Sequence, residues 1–291
     1  MPRTLSPLRY PGGKTQLYDF VKHTIMLNKL SNTIYCEPFS GGSGVAIALL
    51  LANDVEQVIL NDFDISIYSI WHAILNDADK FIKGIEDMPI TIEEWNNQKT
   101  IYNQRLSQDP QDYDFDLALA TFFLNRTNRA GIITGGPIGG HSQKSKYDLG
   151  CRFNKSDLIN KIKNINKQKE RIQLYNLDAV DLVNNILLTK DPQNLFTYFD
   201  PPYYKQGQNL YKNSFDDKKH LQLSNASRQM DGFKWIATYD NESRIRDIYN
   251  DRHIYEYTLQ YSANNTRKET ELLFHSNVTI IEPYKNVQFK R

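Results

Sequence analysis

Two places in this 291-residue sequence hold residue types and spacings suited to chemistry. Asp200-Pro201-Pro202-Tyr203 follows directly on an apolar run, Leu195 to Phe199. Two prolines cannot continue a strand ladder and fix the backbone in an extended turn. An acid, a rigid carbonyl and an aromatic ring are therefore held at one point. That trio suits a planar amine. Asp200 and the Pro201 carbonyl can each accept one amino hydrogen, drawing a delocalised nitrogen towards tetrahedral geometry, while Tyr203 stacks on the ring. The second place is the turn Glu37-Pro38-Phe39-Ser40-Gly41-Gly42-Ser43-Gly44. Its glycines let a ligand approach the backbone, and the helix that follows offers free N–H groups. Asp62 lies 18 residues beyond Gly44 at the end of a second strand candidate. An acid there can accept hydrogen bonds from ribose hydroxyls, or it can cap the next helix. A dinucleotide or S-adenosylmethionine (AdoMet) satisfies the pair equally.

Positioning these groups at one edge requires parallel strands joined by helical crossovers. The sequence supplies them. Ile34 to Cys36 and Gln57 to Leu60 are strand candidates, each followed by a helical pattern, Val45 to Leu51 and Ile65 to Leu75. In the second helix Ile67, Ile70, Trp71 and Ile74 share one face. Alternation then stops. Residues 79–125 are mostly helical and acidic, and residues 127–150 form a long glycine-containing loop; loops of this length are commonly functional. Leu158, Ile162 and Ile165 mark one face of a lysine-rich helix. Alternation resumes with Ile172 to Tyr175, Leu195 to Phe199, Trp235 to Thr238, Ile254 to Leu259 and Glu271 to Phe274. The expectation is an α/β catalytic domain from residues 1–78 and 158–291, interrupted by a mainly helical, loop-rich insertion at 79–157.

Composition narrows the classes. Hydrophobic residues make up 40% and charged residues 24%, which is globular rather than disordered. The longest apolar run, Val45 to Ala52, has 8 residues, against ~20 for a membrane-spanning helix. No signal-peptide segment follows Met1-Pro2-Arg3-Thr4, so a cytoplasmic protein is expected. Two distant cysteines, Cys36 and Cys151, exclude a disulfide scaffold, and neither they nor the six histidines have metal-ligand spacing. The net charge of +1 hides an asymmetry. Residues 79–125 hold four Lys/Arg against nine Asp/Glu, whereas residues 126–171 hold eleven against three. Such a block can be a nucleic-acid footprint, although charge alone fits a solvated helical face better.

The tetrapeptide at 200–203 resembles motif IV of adenine-specific DNA methyltransferases, especially the Dam-like family. Arg9-Tyr10-Pro11-Gly12-Gly13-Lys14 is similar to that family's motif ahead of the Gly-rich turn. Glu37 to Gly44 looks like its AdoMet loop, and Leu60-Asn61-Asp62 like its ribose-binding strand end. Phe123-Leu124-Asn125-Arg126 resembles the start of its DNA-reading segment, and Ser262 to Phe274 its carboxyl-terminal motif. The motifs follow the family's order across nearly the whole chain. The resemblance implies a Rossmann-like, AdoMet-dependent methyltransferase sheet with an inserted recognition domain. Tyr10 and Lys14 would contact AdoMet. Glu37, Pro38, Phe39, Gly41, Gly42 and Gly44 would hold its methionine part, Asp62 its ribose and Asp178 its adenine. Asp200, with Pro201, Pro202 and Tyr203, would meet both the methyl donor and the target amine.

Double-stranded DNA is the implied partner, with its adenine turned out of the stack, because the amino group is otherwise paired. Phosphate contacts are expected from Lys144, Lys146, Arg152 and Lys155, and also from Lys161. Arg126, Asn128, Arg129 and Gln143 carry side chains that read base edges. Tyr203, Tyr204 and Phe215 could receive the extruded base. The Gly135-Gly136-Pro137 extension departs from the pattern of GATC-reading members. No metal is called for, since a sulfonium is already an activated leaving group. Two other readings use parts of the same pattern: an RNA adenine methyltransferase, and an NAD-dependent oxidoreductase, which gives no reason for residues 200–203.

Overall fold

The computed structural model describes residues 4–9, 14–204, 215–261 and 267–290, without the side chains of 259–261 and 267–269. Seven strands form one sheet in the order β3-β2-β1-β4-β5-β7-β6. They are β1 (Ile34–Glu37), β2 (Gln57–Asn61), β3 (Ile172–Tyr175), β4 (Leu195–Phe199), β5 (Lys234–Asp240), β6 (Tyr255–Tyr261) and β7 (Arg267–His275). The pairs among β1 to β5 are parallel, while β7 runs antiparallel between β5 and β6. The order reverses between β1 and β4, so a crevice opens at the carboxyl ends of those two strands, where ligands bind in open α/β sheets.

Alternation along the strands divides the core between the two faces. Tyr35, Val58, Leu60, Phe196, Tyr198, Ile236 and Leu273 point to one face. Cys36, Ile59, Leu195, Phe199, Trp235, Ala237, Leu272 and Phe274 point to the other. The first face is covered by α1 (Tyr18–Leu27), α2 (Gly44–Leu51) and α3 (Ile65–Asn76). The second is covered by α8 (Ala179–Asn185), α9 (Asp217–Gln229) and α10 (Ser243–Ile248). Helix α2 is apolar on nearly every side, which suits a helix enclosed between sheet and neighbours.

The insertion contributes α4 (Ala78–Asp87), α5 (Ile92–Ser107) and α6 (Phe115–Thr127), followed by the long loop and α7 (Lys155–Asn166). Their apolar side chains, among them Phe81, Phe122, Phe153 and Leu158, continue the first-face core without a break. The expected boundary at 157/158 therefore falls inside α7, and the inserted helices share their core with the sheet. Asp114 starts α6 by accepting from the Leu117 amide, and Asn154 starts α7 in the same way from Asp157. No helix among the described residues is long and apolar enough to cross a membrane.

Candidate active site

The Gly-rich turn is fixed by its neighbours. The Ser40 amide and hydroxyl both donate to the Asn61 carbonyl, at 2.8 and 2.7 Å. The Gly41 amide donates to Asp62 Oδ2 at 2.7 Å, and the Gly41 carbonyl accepts from the Trp71 indole at 3.0 Å. Gly41 has φ +45°, a left-handed conformation that glycine adopts without a Cβ clash. At Gly44 the reason for glycine is contact: a Cβ would stand 2.3 Å from Thr15 Oγ1. Asp62 does not cap α3; Asp64 does, accepting from the Ser66 amide at 2.9 Å. Asp62 instead braces the turn through Gly41 and accepts from the Asp64 amide at 3.0 Å.

Glu37 ends β1 and is buried, with Oε1 accepting from the Ala46 amide and the Tyr35 hydroxyl, each at 3.1 Å. Among the described residues it has no cationic partner. Burial pushes its carboxyl up to about 8, against the two hydrogen bonds that favour the anion. Burial likewise raises Asp62 to about 7, with Asp64 adding to it.

Asp200 lies just past β4, beside this turn across the switch point. Its Oδ1 accepts from Thr238 Oγ1 at 2.8 Å, and Thr238 meets the Tyr198 hydroxyl at 2.8 Å. Lys14 Nζ stands 3.6 Å from the same oxygen. Burial raises Asp200 to about 6; Lys14 opposes the shift and Glu271 adds to it. The turn that follows is fixed by the Tyr204 amide donating to Asp240 Oδ1 at 2.9 Å. Tyr203 does not project freely as a stacking ring: its hydroxyl donates to Glu271 Oε1 at 2.5 Å and contacts Lys14.

Glu271, from β7, was not anticipated as a site residue. It is buried, receives Lys14 Nζ at 2.9 Å on both oxygens, and accepts from the Tyr257 hydroxyl at 2.5 Å. Its signal in the sequence is an acid at the start of Glu271-Leu272-Leu273-Phe274, sharing strand parity with buried Leu273. Thr238, Tyr198 and Tyr257 carried no such signal, because hydroxyl-bearing residues are ordinary in strands. Asp178 caps α8 by accepting from the Val180 amide at 2.9 Å. Tyr10 and Ser262 lie outside the described residues, as do Pro11, Gly12 and Gly13.

The proposed DNA-contacting residues divide in two. Arg129, Lys144, Lys146 and Arg152 are exposed on the loop between α6 and α7. The other five spend their polar ends on the protein itself, Lys161 in an ion pair with Asp157 at 3.2 Å. Arg126 donates to the carbonyls of Pro7 and Arg152. Asn128 is fully buried, accepting from the Trp95 indole at 2.7 Å and donating to the carbonyls of Ile132 and Ile133 at 2.9 Å. Gln143 donates to the carbonyls of Ile138 and Gly140 and accepts from the Leu149 amide. Lys155 caps the carboxyl end of α4 through the carbonyls of Glu86 and Met88, each at 2.7 Å. An amide bonded at both ends inside the protein has nothing left for a base edge, so Asn128 and Gln143 shape the loop. Asn125 joins loop and amino-terminal segment, bonding Arg9 through both its amide and its carbonyl. Gly131 permits that approach: with φ +78°, a Cβ there would lie 2.6 Å from the Arg9 carbonyl oxygen.

A mixed sheet with helices on both faces, a glycine turn after β1, an acid ending β1 and another just past β2, and Asp-Pro-Pro-Tyr after β4 together define a Rossmann-like methyltransferase. Residues 10–263 match the family described as D12 class N6 adenine-specific DNA methyltransferase, and the chain belongs to that family. A search of curated proteins found no match. Among solved structures, the putative RNA methyltransferase PH1948 from Pyrococcus horikoshii is similar at 9% identity and TM-score 0.39, covering 92% of this chain and 83% of that one. The rRNA methyltransferase aviRa from Streptomyces viridochromogenes is similar at 8% identity and TM-score 0.38, covering 93% and 88%.

Proposed function

We propose that this protein transfers the methyl group of AdoMet to the exocyclic nitrogen of an adenine turned out of duplex DNA. The observation that carries the reading is Asp200, a half-buried acid with Oδ1 held by Thr238 and with no partner on Oδ2 among the described residues. It stands beside a second acid, Glu37, that is buried without a cation among the described residues. A buried unpaired acid is costly unless something compensates its charge, and the ammonium of AdoMet's methionine part would do so. Asp62, partly exposed beside the Gly-rich turn that it braces, suits its ribose. When bound, AdoMet supplies a methyl group on a sulfonium, which needs no further activation. Asp200 Oδ2 and the Pro201 carbonyl would accept the two amino hydrogens, localising the lone pair that forms the N–C bond as the S–C bond breaks, after which the methylated nitrogen loses one proton to solvent. Thr238 and Lys14 fix the carboxylate's direction. Tyr203, anchored at its hydroxyl, offers a ring edge or face without having to be ordered on binding.

The titration of Glu37 gives a pH dependence with a definite sign. The free protein holds this carboxyl near 8, so at pH 7 it is mostly neutral. An ammonium binds the anion, so AdoMet binding should expel a proton at pH 7. Affinity should rise from pH 6 to about 8 and fall again above it, because the α-amino group of AdoMet itself loses its proton at ~8. Calorimetry in two buffers of different ionisation enthalpy reads the proton directly; equal apparent enthalpies at pH 7 would remove the ammonium from Glu37.

On the DNA side, exposed Arg129, Lys144, Lys146 and Arg152 support a duplex-facing loop, with Arg126, Asn128, Gln143 and Lys155 as its frame. Lysine meets phosphate as a point charge, whereas arginine can pair with guanine through two bonds. Lys146→Ala should weaken all sequences alike and flatten the salt dependence by about one phosphate contact. Arg129→Ala should cost ~1–3 kcal/mol on the preferred site and relax choice at one base position. Binding both variants to a panel of single-base site changes separates the roles; a uniform loss for Arg129→Ala would make it a phosphate contact. Methyl transfer from labelled AdoMet to duplex DNA, and to structured RNA in parallel, tests the substrate. Incorporation into RNA alone would overturn the DNA reading.

A further inference from the structure

A lysine between two carboxylates can be shared or captured, and here it is captured. Lys14 Nζ sits 2.9 Å from both oxygens of Glu271 but 3.6 Å from Asp200 Oδ1. The capture is built across the sheet. Residues 240 and 271 are paired in the β5–β7 register, and 257 and 271 in the β6–β7 register. Glu271 therefore reaches the carboxyl edge of β5 from an antiparallel strand, with Tyr257 bonded to Oε2 and Tyr203 to Oε1. All four polar groups are joined in one cluster on the sheet face that carries α1 to α3. Burying a lysine and a glutamate this deeply is seldom stabilising relative to apolar residues of similar size, so the pair calls for a reason other than stability.

We propose that Glu271 is a positioning residue for the transfer site, holding Lys14 off Asp200 so that the aspartate carboxylate stays open to the adenine amine. The inference rests on the role given to Asp200 above. Without Glu271, the Lys14 ammonium would close on Asp200 as a direct ion pair, occupying the acceptor and weakening it. With Glu271, Lys14 still orients Asp200 from a distance, while Tyr203 is tied to the same carboxylate, so acid and ring keep a fixed relation. Other titratable groups also face Asp200. Glu37 at the end of β1 and Tyr239 of β5 interact with it electrostatically, and Tyr203 and Tyr257 reach it through Glu271. The substitution that follows leaves Glu37 and Tyr239 as they are and changes only the acceptor that Tyr203 and Tyr257 meet.

Glu271→Gln keeps the shape and removes the charge. Asp200 should then titrate lower, by roughly one pH unit or more, because a neighbouring negative charge is lost and a positive one moves closer. The direct readout is the carboxyl carbon of Asp200 in AdoMet-free protein, followed by NMR and assigned with Asp200→Asn. The acid limb of the methylation rate should shift to lower pH in parallel, and the plateau rate should fall about 10- to 100-fold from lost positioning. Glu271→Asp, which keeps the charge but withdraws it by one methylene, should move Asp200 the same way by less and serves if the glutamine variant fails to fold. An Asp200 titration that stays at its wild-type position in the folded variants overturns the proposal, since a merely structural Glu271 would alter stability without moving it. The titration needs neither DNA nor turnover, so an inactive wild type would count against the function while the shift still decides this inference.

Discussion

Asp200→Ala is expected to lower methyl transfer by about 10²- to 10³-fold, the usual contribution of one prearranged electrostatic group, while leaving a folded protein. The structure explains why folding should survive. Thr238 keeps its bond to Tyr198, and Lys14 keeps Glu271, so no buried charge loses its only partner. The backbone of the tetrapeptide is set by its two prolines and by the Tyr204 amide on Asp240, neither of which depends on the Asp200 side chain. Rates under single-turnover conditions, with circular dichroism to check the fold, make the comparison. Near-wild-type transfer would remove Asp200 from the chemistry.

Asp62→Ala carries the second large effect. Losing a charge-assisted hydrogen bond costs roughly 1.5–3 kcal/mol, so affinity for AdoMet should weaken by ~10- to 150-fold, with DNA binding in its absence little changed. Asp62 also braces the Gly41 amide, and Asp62→Asn distinguishes the two contributions. Asparagine can still accept from Gly41 with its one oxygen, but it lacks the charge offered to the ribose. If bracing is the whole role, Asn should bind AdoMet almost as well as wild type. If the ribose contact matters, Asn should fall between wild type and Ala. Calorimetry on the three proteins gives the answer, and an unchanged affinity in Asp62→Ala would make this residue a part of the turn and nothing more.

The central sheet was legible because fully buried parallel strands are short apolar runs punctuated by turns. Ile172–Tyr175 and Leu195–Phe199 were read with their observed ends. β7 begins at Arg267, four residues before its expected start at Glu271, because pairing with the edge strand β6 tolerates polar residues that periodicity does not register. The two motif regions were legible for a similar reason. Each is local in the chain, so neighbouring residues in sequence carry the chemistry.

What escaped the sequence is what the fold assembles from afar. Glu271, Tyr257 and Thr238 reach the site only through strand register, and no spacing along the chain connects them with Lys14 or Asp200. The basic loop shows a different limit. Composition locates charge but not where each donor is spent. Asn128 and Gln143 have the right amides for adenine, yet one lies beneath Trp95 and the other closes a turn at φ +50°. Arg126, expected at a base edge, and Lys155, expected on phosphate, instead satisfy carbonyls that the loop and α4 leave bare.

The most direct measurement is sequencing of DNA from cells expressing this chain, with a readout that detects N6-methyladenine, beside DNA from cells expressing Asp200→Ala. Asp200-dependent transfer to adenine in DNA predicts methylated adenine at one recurring short sequence with the wild type and a loss of that signal with the variant. Unmethylated DNA from cells that contain folded wild-type protein, or an equal signal from both, would contradict it.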